Sequence, residues 1–336
     1  MSTPELSLRM PAEWEPHAAT WLAWPHAPST WPGRLDRIPS VWAQMVRALA
    51  PGEDVHILVN GSEMELAARR TLHAHRADAP NAHFHHIPTN DAWIRDFGPT
   101  FVKRGEETVL LNWGYNAWGE KYPPWDQCDA VPKQIADLLG LPMITPGMIL
   151  EGGSIEVNGV GALLTTEQCL LNPNRNPTRT RSEIENQLCE KLGVHSIHWL
   201  GEGVAGDDTD GHIDDLTRFV SEDTLVTVVE PDTGDVNHRA LAENWARLEA
   251  SGFNVIDLPM PRAVFDGDVR LPASPANFYI GNAAVLVPTF NDAERDRVVT
   301  GILRECFPGR EIVGIDCTEM VAGLGAIHCV TQQQPR

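Results

Sequence analysis

With 336 residues, 42% of them apolar and 21% charged, the chain can bury a large core without disulfide or metal staples and is too apolar to stay disordered. Its 46 acidic against 26 basic residues give a net charge of −20, which repels phosphate backbones and anionic lipid and favours cationic small molecules. Nucleic acid and membrane are therefore not expected partners. Residues 1–14 lack the apolar run of a secretory leader, and no stretch reaches the roughly 18–20 apolar residues of a membrane span. The six cysteines form no C-x-x-C pair and no zinc spacing, which predicts free thiols in a reducing compartment, the cytoplasm.

Along the chain, helical patterns run repeatedly into short apolar strands. A helix over 62–76 leads to a strand over 83–87, and one over 131–139 passes through Gly140 into 141–144. The stretch 180–192 opens on a capping box, Thr180 with Glu183, carries Ile184, Leu188 and Leu192 on one face and stops at Gly193 before a strand over 194–200. Leu241, Trp245 and Leu248 make the next stripe, followed by a strand over 254–258. Val298, Val299, Ile302 and Leu303 make another, followed by 311–315. Asn158-Gly159 marks a tight turn inside a hairpin over 154–165, and 224–229 and 283–287 read as buried central strands. Anchors in the five helix-following strands, His85, Met143, Ile197, Val255 and Val313, are spaced by 58, 54, 58 and 58 residues. That period predicts five repeated units, attractive as a closed ring within one domain over 1–336, with an ordinary α/β domain as the alternative.

The polar, glycine-rich segments after these strands hold the chemistry-bearing residues. They include Asp96 in 89–99, Glu151 in 151–156, His212 and Asp214 in 206–215, and Cys329 in 323–332. Loops on a rigid scaffold are where function concentrates. A thiol, an imidazole and an orienting acid form a nucleophile–base–orienter set. Further carboxylates beside it would repel the oxyanion of an acyl substrate but grip a guanidinium, which points to attack on a guanidinium carbon. Simpler readings stand beside each element. Cys329 could be an inert buried thiol, residues 207–215 a calcium loop, and Arg95-Asp96 a salt-bridged turn. The histidines at 73, 75, 83, 85 and 86 fit a solvated or core placement better than a metal site.

Taken together, the motifs resemble the agmatine deiminase branch of the guanidine-modifying pentein superfamily. They are Met10-Pro-Ala-Glu-Trp-Glu-Pro-His17, Thr20-Trp-Leu-Ala-Trp-Pro25, Asp91-Ala-Trp-Ile-Arg-Asp-Phe-Gly-Pro99, Glu151-Gly-Gly-Ser-Ile-Glu156, Asp210-Gly-His-Ile-Asp214, Asn277-Phe-Tyr-Ile-Gly-Asn282 and His328-Cys-Val-Thr-Gln-Gln333. The resemblance implies an α/β fold, a five-fold pseudo-symmetric propeller (pentein) of ββαβ-type repeats around a central site. It implies Cys329 as nucleophile, His212 as acid and base, Glu151 as its orienting carboxylate, and Asp96 and Asp214 as guanidinium clamps. Asp208 stands where agmatine deiminases place an acid for the distal ammonium, here Asp rather than Glu. Trp93 is expected to wall the substrate's alkyl chain, with Trp113 and Trp118 as weaker candidates.

The implied reaction is hydrolytic deimination of a small guanidino substrate, foremost agmatine to N-carbamoylputrescine and ammonia, through an amidino-cysteine intermediate. It needs no cofactor and no metal. The expected partner is a small cationic guanidino compound, and a homo-oligomer is left open. Rival substrates are arginine and peptidyl arginine. Rival classes are a cysteine amidase or peptidase and a non-catalytic guanidine- or polyamine-binding protein.

Overall fold

Each of the five anchor residues sits in the outer, parallel strand of its own sheet. The structure, a computed structural model, describes residues 7–336. Residues 1–6, the start both of the segment read for a leader and of the 1–336 domain, lie outside the described residues.

Four sheets share one pattern: an antiparallel pair, a helix, and a third strand that returns parallel to the second. Thr100–Arg104 pairs with Glu107–Leu111, helix Val131–Leu139 follows, and Met143–Ile144 adds in parallel. The next three read Glu156–Val157, Ala162–Thr166, helix Arg181–Leu192 and Ser196–Leu200; then Thr217–Phe219, Thr224–Val229, helix His238–Glu249 and Asn254–Pro259; then Tyr279–Ile280, Ala284–Thr289, helix Ala293–Cys306 and Glu311–Asp316. A parallel return requires such a crossover, and the helix covers the sheet face it crosses. The fifth sheet joins distant ends of the chain. Gln332–Pro335 runs antiparallel to His17–Ala23, beyond which lie Asp54–Leu58 and Ala82–His85, both parallel, reached through helices Pro39–Leu49 and Ser62–Ala74. A two-stranded hairpin, Phe265–Asp266 with Val269–Arg270, stands apart from these sheets.

Local chemistry sets the boundaries. Thr180 and Glu183 exchange both hydrogen bonds of the capping box, and Gly193 ends that helix at φ +69°. Its face of Ile184, Leu188 and Leu192 is buried against strand residues such as Leu163 in one of three apolar clusters. No helix among the described residues is long and apolar enough to cross a membrane. All six cysteines are free thiols.

The histidine-rich stretch divides. His73 pairs with Asp78 and His86 with Glu65 at the surface, whereas His83 and His85 lie in the strand Ala82–His85. His56 stacks on Trp21 at 4.2 Å between ring centroids, and its Nδ1 lies 2.7 Å from His85 Nε2. Burial first, then the neighbouring His85 and His83, lowers the His56 pKa to about 3, and burial lowers that of His85. The unfolded chain therefore binds protons that the native sheet refuses as pH falls below the ordinary histidine value. The contribution of these histidines to stability is full above about pH 6.5 and is lost toward the folded-state value. Replacement of His56 by Phe is expected to flatten the decline in urea midpoint between about pH 7 and pH 5, relative to the parent protein. An unchanged slope would exclude His56 as a source of acid lability.

Four one-turn helices follow the strands and pack on one another: Ile94–Phe97, Gly152–Ser154, Ile213–Asp215 and His328–Val330. They carry or adjoin Asp96, Glu151, His212, Asp214 and Cys329.

Candidate active site

Where these turns meet, a cavity of about 660 Å³ opens, lined by Trp93, Asp96, Trp118, Asp208 and Cys329 among others. Cys329 is 5% exposed. Its Sγ lies 3.7 Å from Asp214 Oδ2 and accepts from Asn277 Nδ2 at 3.0 Å, while Asn277 Oδ1 accepts the His328 and Cys329 amides at 2.8 and 3.3 Å. The asparagine thus holds both the sulfur and the turn that presents it. Burial, then Asp214, Asp215 and Asp96, pushes the thiol pKa well above its ordinary value, so the resting group is a thiol.

Asp96 is fixed by the Trp118 indole N–H at Oδ2 and the Gly153 N–H at Oδ1, both at 3.0 Å. Its pKa rises to about 6 because burial dominates, with His212 opposing and Asp214 and Glu151 adding to the rise. His212 Nδ1 lies 3.7 Å from Asp96 Oδ1. Burial disfavours the imidazolium, yet Asp96, Cys169 and Asp214 outweigh it, and the His212 pKa stands well above the ordinary value. A Cβ on Gly153 would lie 2.6 Å from His212 Nδ1, 2.8 Å from Asp96 Oδ1 and 3.0 Å from Asp214 Oδ2. Only a residue without a side chain lets these three groups converge. Likewise, a Cβ on Gly325 would lie 2.5 Å from the Trp93 ring.

Glu151, fully buried, accepts from Arg175 Nε at 2.7 Å through Oε1. It makes no hydrogen bond to His212, although the two side chains stand within 4.8 Å. Glu151, His212 and Asp214 are buried, with His212 3.7 Å from Asp96 and Asp214 3.7 Å from Cys329, the two cavity-lining groups. Asp208 also lines the cavity, accepting from the Tyr122 phenol, and the Lys121 ammonium reaches the Asp208 carbonyl and Asp210. The remaining acids of 207–215 are engaged internally. Asp207 takes the N–H groups of Thr209, Gly211 and His212, Asp210 takes Arg175, and Asp215 takes Asn277.

Several residues given no role in the sequence reading support this site. Glu13 lies behind the nucleophile turn, bonded to His328 Nε2 at 2.8 Å and paired with Arg218 at 2.9 Å and Arg95 at 3.3 Å. His328 Nδ1 in turn donates to Asp214 Oδ2 at 2.7 Å, the same oxygen that lies 3.7 Å from the sulfur, so Asp214 is braced by the neighbour of the nucleophile. Against the expectation of a salt-bridged Arg95-Asp96 turn, Arg95 points to Glu13 and Gln333. Of the tryptophans, Trp93 and Trp118 line the cavity. Trp113 does not: it belongs to an apolar cluster with Val109 and Leu150, because its alternation along the chain turns it to the sheet interior. Glu13, Asn277 and His328 all fall inside the quoted motifs, which was the available signal, but their partners lie too far off in sequence to be guessed.

A buried thiol, an imidazolium and paired carboxylates around one cavity define a cysteine-dependent site for a cationic substrate. The chain belongs to the Porphyromonas-type peptidyl-arginine deiminase family, whose sequence pattern matches residues 9–335. It is 36% identical to an agmatine deiminase of Pseudomonas aeruginosa over 368 aligned positions, covering 99% of this chain and 97% of that one. Its structure is similar to that of the Enterococcus faecalis agmatine deiminase, with a TM-score of 0.91 at 32% identity over 100% of this chain and 98% of the other. It is also similar to a cysteine-to-serine variant of the C. jejuni agmatine deiminase with substrate bound, with a TM-score of 0.92 at 28% identity and the same coverage.

Proposed function

We propose that this enzyme hydrolyses agmatine to N-carbamoylputrescine and ammonia through an amidino-cysteine intermediate. In this reading Cys329 is the nucleophile, His212 the acid and base, and Asp96 and Asp214 the clamps on the guanidinium. The observation that carries it is a buried thiol 3.7 Å from one carboxylate, sharing a cavity with a second. Carboxylates so placed do nothing for a neutral amide, but they match the N–H edges of a planar cation. Relatives named as agmatine deiminases and aligned over nearly the whole chain support the choice of substrate.

The resting charges suit that order of events. The acids that hold the Cys329 proton in place are those a guanidinium would neutralise, so substrate binding itself lowers the barrier to forming the thiolate. As the cation binds, the Cys329 S–H proton is lost to solvent, and the thiolate adds to the guanidinium carbon. The His212 imidazolium gives its proton to one amino nitrogen, which leaves as ammonia, and the C–S bond remains in an amidino-thioether. Neutral His212 then takes a proton from water, the hydroxide adds to the same carbon, and the C–S bond breaks to return the thiolate and release the ureido product. Glu151, pinned by Arg175, steadies the charge on His212.

At the far end, Asp208 receives the substrate's ammonium, its carboxylate turned by the Tyr122 phenol, while Trp93 and Trp118 flank the alkyl chain. Lys121 is already spent on Asp208 and Asp210, which leaves an α-carboxylate poorly served. The same reading takes the five sheets as blades of one five-fold α/β propeller forming a single domain. Five parallel outer strands at near-equal spacing and four converging turns support it.

The test is a panel of agmatine, arginine and a blocked peptidyl arginine, assayed for ammonia and ureido product. Agmatine is expected to exceed the other two by about 100-fold or more in kcat/KM, because Asp208 would repel the α-carboxylate that arginine adds and would find no ammonium in the blocked peptide. Equal or better turnover of arginine would overturn the assignment of Asp208.

A further inference from the structure

A second thiol stands behind His212. Cys169 lies in the one-turn helix Glu167–Leu170, whose cap residue Thr166 accepts from the Cys169 N–H at 3.2 Å and donates to the Gly211 carbonyl at 2.6 Å. The turn is thereby tied to the residue before His212. The Cys169 sulfur, a carboxylate oxygen of Glu151 and a ring nitrogen of His212 lie within 4.8 Å of one another, and all three side chains are buried. None of the deimination steps uses Cys169. An independent feature points to a ligand at this spot: Glu151 Oε2 and both ring nitrogens of His212 are buried without a hydrogen-bond partner. Polar atoms at that depth cost free energy unless something occupies them. Arg175 secures Glu151 through Oε1, holding the carboxylate in place and leaving its other oxygen unclaimed.

We infer that Glu151, Cys169 and His212 form a binding site for a thiophilic divalent cation of the zinc and cadmium class, and that the bound ion reversibly switches the enzyme off. Sulfur, imidazole and carboxylate are the donors of tetrahedral zinc, whose bonds of about 2.0–2.3 Å place neighbouring donors about 3.5 Å apart. Side-chain adjustments of about 1 Å close the present triangle to that size. Magnesium and calcium, which take oxygen donors, do not suit a site with a thiolate. Binding releases the Cys169 S–H proton and the His212 ring proton to solvent, so the ion is held more tightly as pH rises. With a nitrogen lone pair committed to the metal, His212 can neither protonate the leaving nitrogen nor accept a proton from water. The switching half of this inference rests on the acid/base role of His212, and the binding half does not.

Two measurements keep those halves separate. Binding is read with cadmium on the full-length Cys329→Ala protein, through the thiolate-to-cadmium charge-transfer absorption, against Cys329→Ala/Cys169→Ala. The first is expected to show the band at one ion per chain and the second to lose it. Switching is read as inhibition of agmatine turnover by free zinc, reversed by a chelator. The inhibition constant is expected to rise about 100-fold in Cys169→Ala and in Cys169→Ser, which keeps the side chain's size if the smaller one perturbs the fold. A band of equal strength in the double variant overturns the site, and equal zinc sensitivity in both Cys169 variants overturns the switch. A Cys169-dependent band without inhibition keeps the site and overturns the switch.

Discussion

Alanine at position 329 is expected to abolish ammonia release from agmatine, lowering kcat by about 10⁴-fold or more while agmatine still binds. The sulfur is the atom that must form a bond to the guanidinium carbon, and Cys329 is the thiol that lies against Asp214 and shares a cavity with Asp96. Of the remaining cysteines, Cys128 also lines the cavity, but burial pushes its pKa to about 12 and its sulfur accepts the Asn90 amide, away from Asp214. Removing the Cys329 sulfur leaves Asp96 and Asp214 in place, so calorimetry should detect agmatine with undiminished or stronger affinity once turnover has ceased. Residual kcat within about tenfold of the parent would move the nucleophile elsewhere.

Replacing Arg218 with methionine is expected to destabilise the protein by about 3–5 kcal/mol. Arg218 is fully buried, pairs with Glu13 at 2.9 Å and Glu156 at 3.0 Å, and donates to the Phe278 carbonyl at 2.6 Å. Burial alone would drive Glu13 toward its neutral form. Arg218, His328 and Arg95 together hold its pKa well below the ordinary carboxylate value. Methionine fills much of the arginine's volume, so the loss registers Glu156 left without its cation and Glu13 left with only Arg95 and His328, rather than a void. Urea unfolding at neutral pH measures it. A loss below about 1 kcal/mol would mean that the acids take up protons at little cost. Because Glu13 also braces His328 and through it Asp214, activity should fall before the chain unfolds.

The repeat was legible because each unit reuses one grammar: a capped helix, a glycine or proline stop, and a short apolar strand. The predicted strand over 311–315 and the observed Glu311–Asp316 differ by a single residue, and 224–229 coincides with Thr224–Val229. The unit with the short spacing of 54 has an outer strand of only two residues, Met143–Ile144, so its anchor had little pattern to rest on. The helix Pro39–Leu49 escaped the periodicity reading. Its Val41, Trp42, Met45, Val46 and Leu49 are apolar and buried, but nothing before Pro39 gives a capping signal. The reacting groups were legible for another reason: Cys329, His212, Asp96 and Asp214 are unusual residue types in glycine-rich segments, where packing does not explain them. Their supports were not. Glu13 and His328 touch across 315 residues of sequence and Arg175 and Glu151 across 24, and neither contact leaves a trace in local pattern.

The strand Gln332–Pro335 docks on His17–Ala23, and Trp21 meets Gln334 across 313 residues of chain. On the ribosome this pairing must wait for its later partner, since Gln334 emerges 313 residues after Trp21. The turn bearing Cys329 directly precedes that strand, so it gains its brace from Glu13 at the same late moment. A nascent chain therefore carries every carboxylate of the site well before it carries the sulfur.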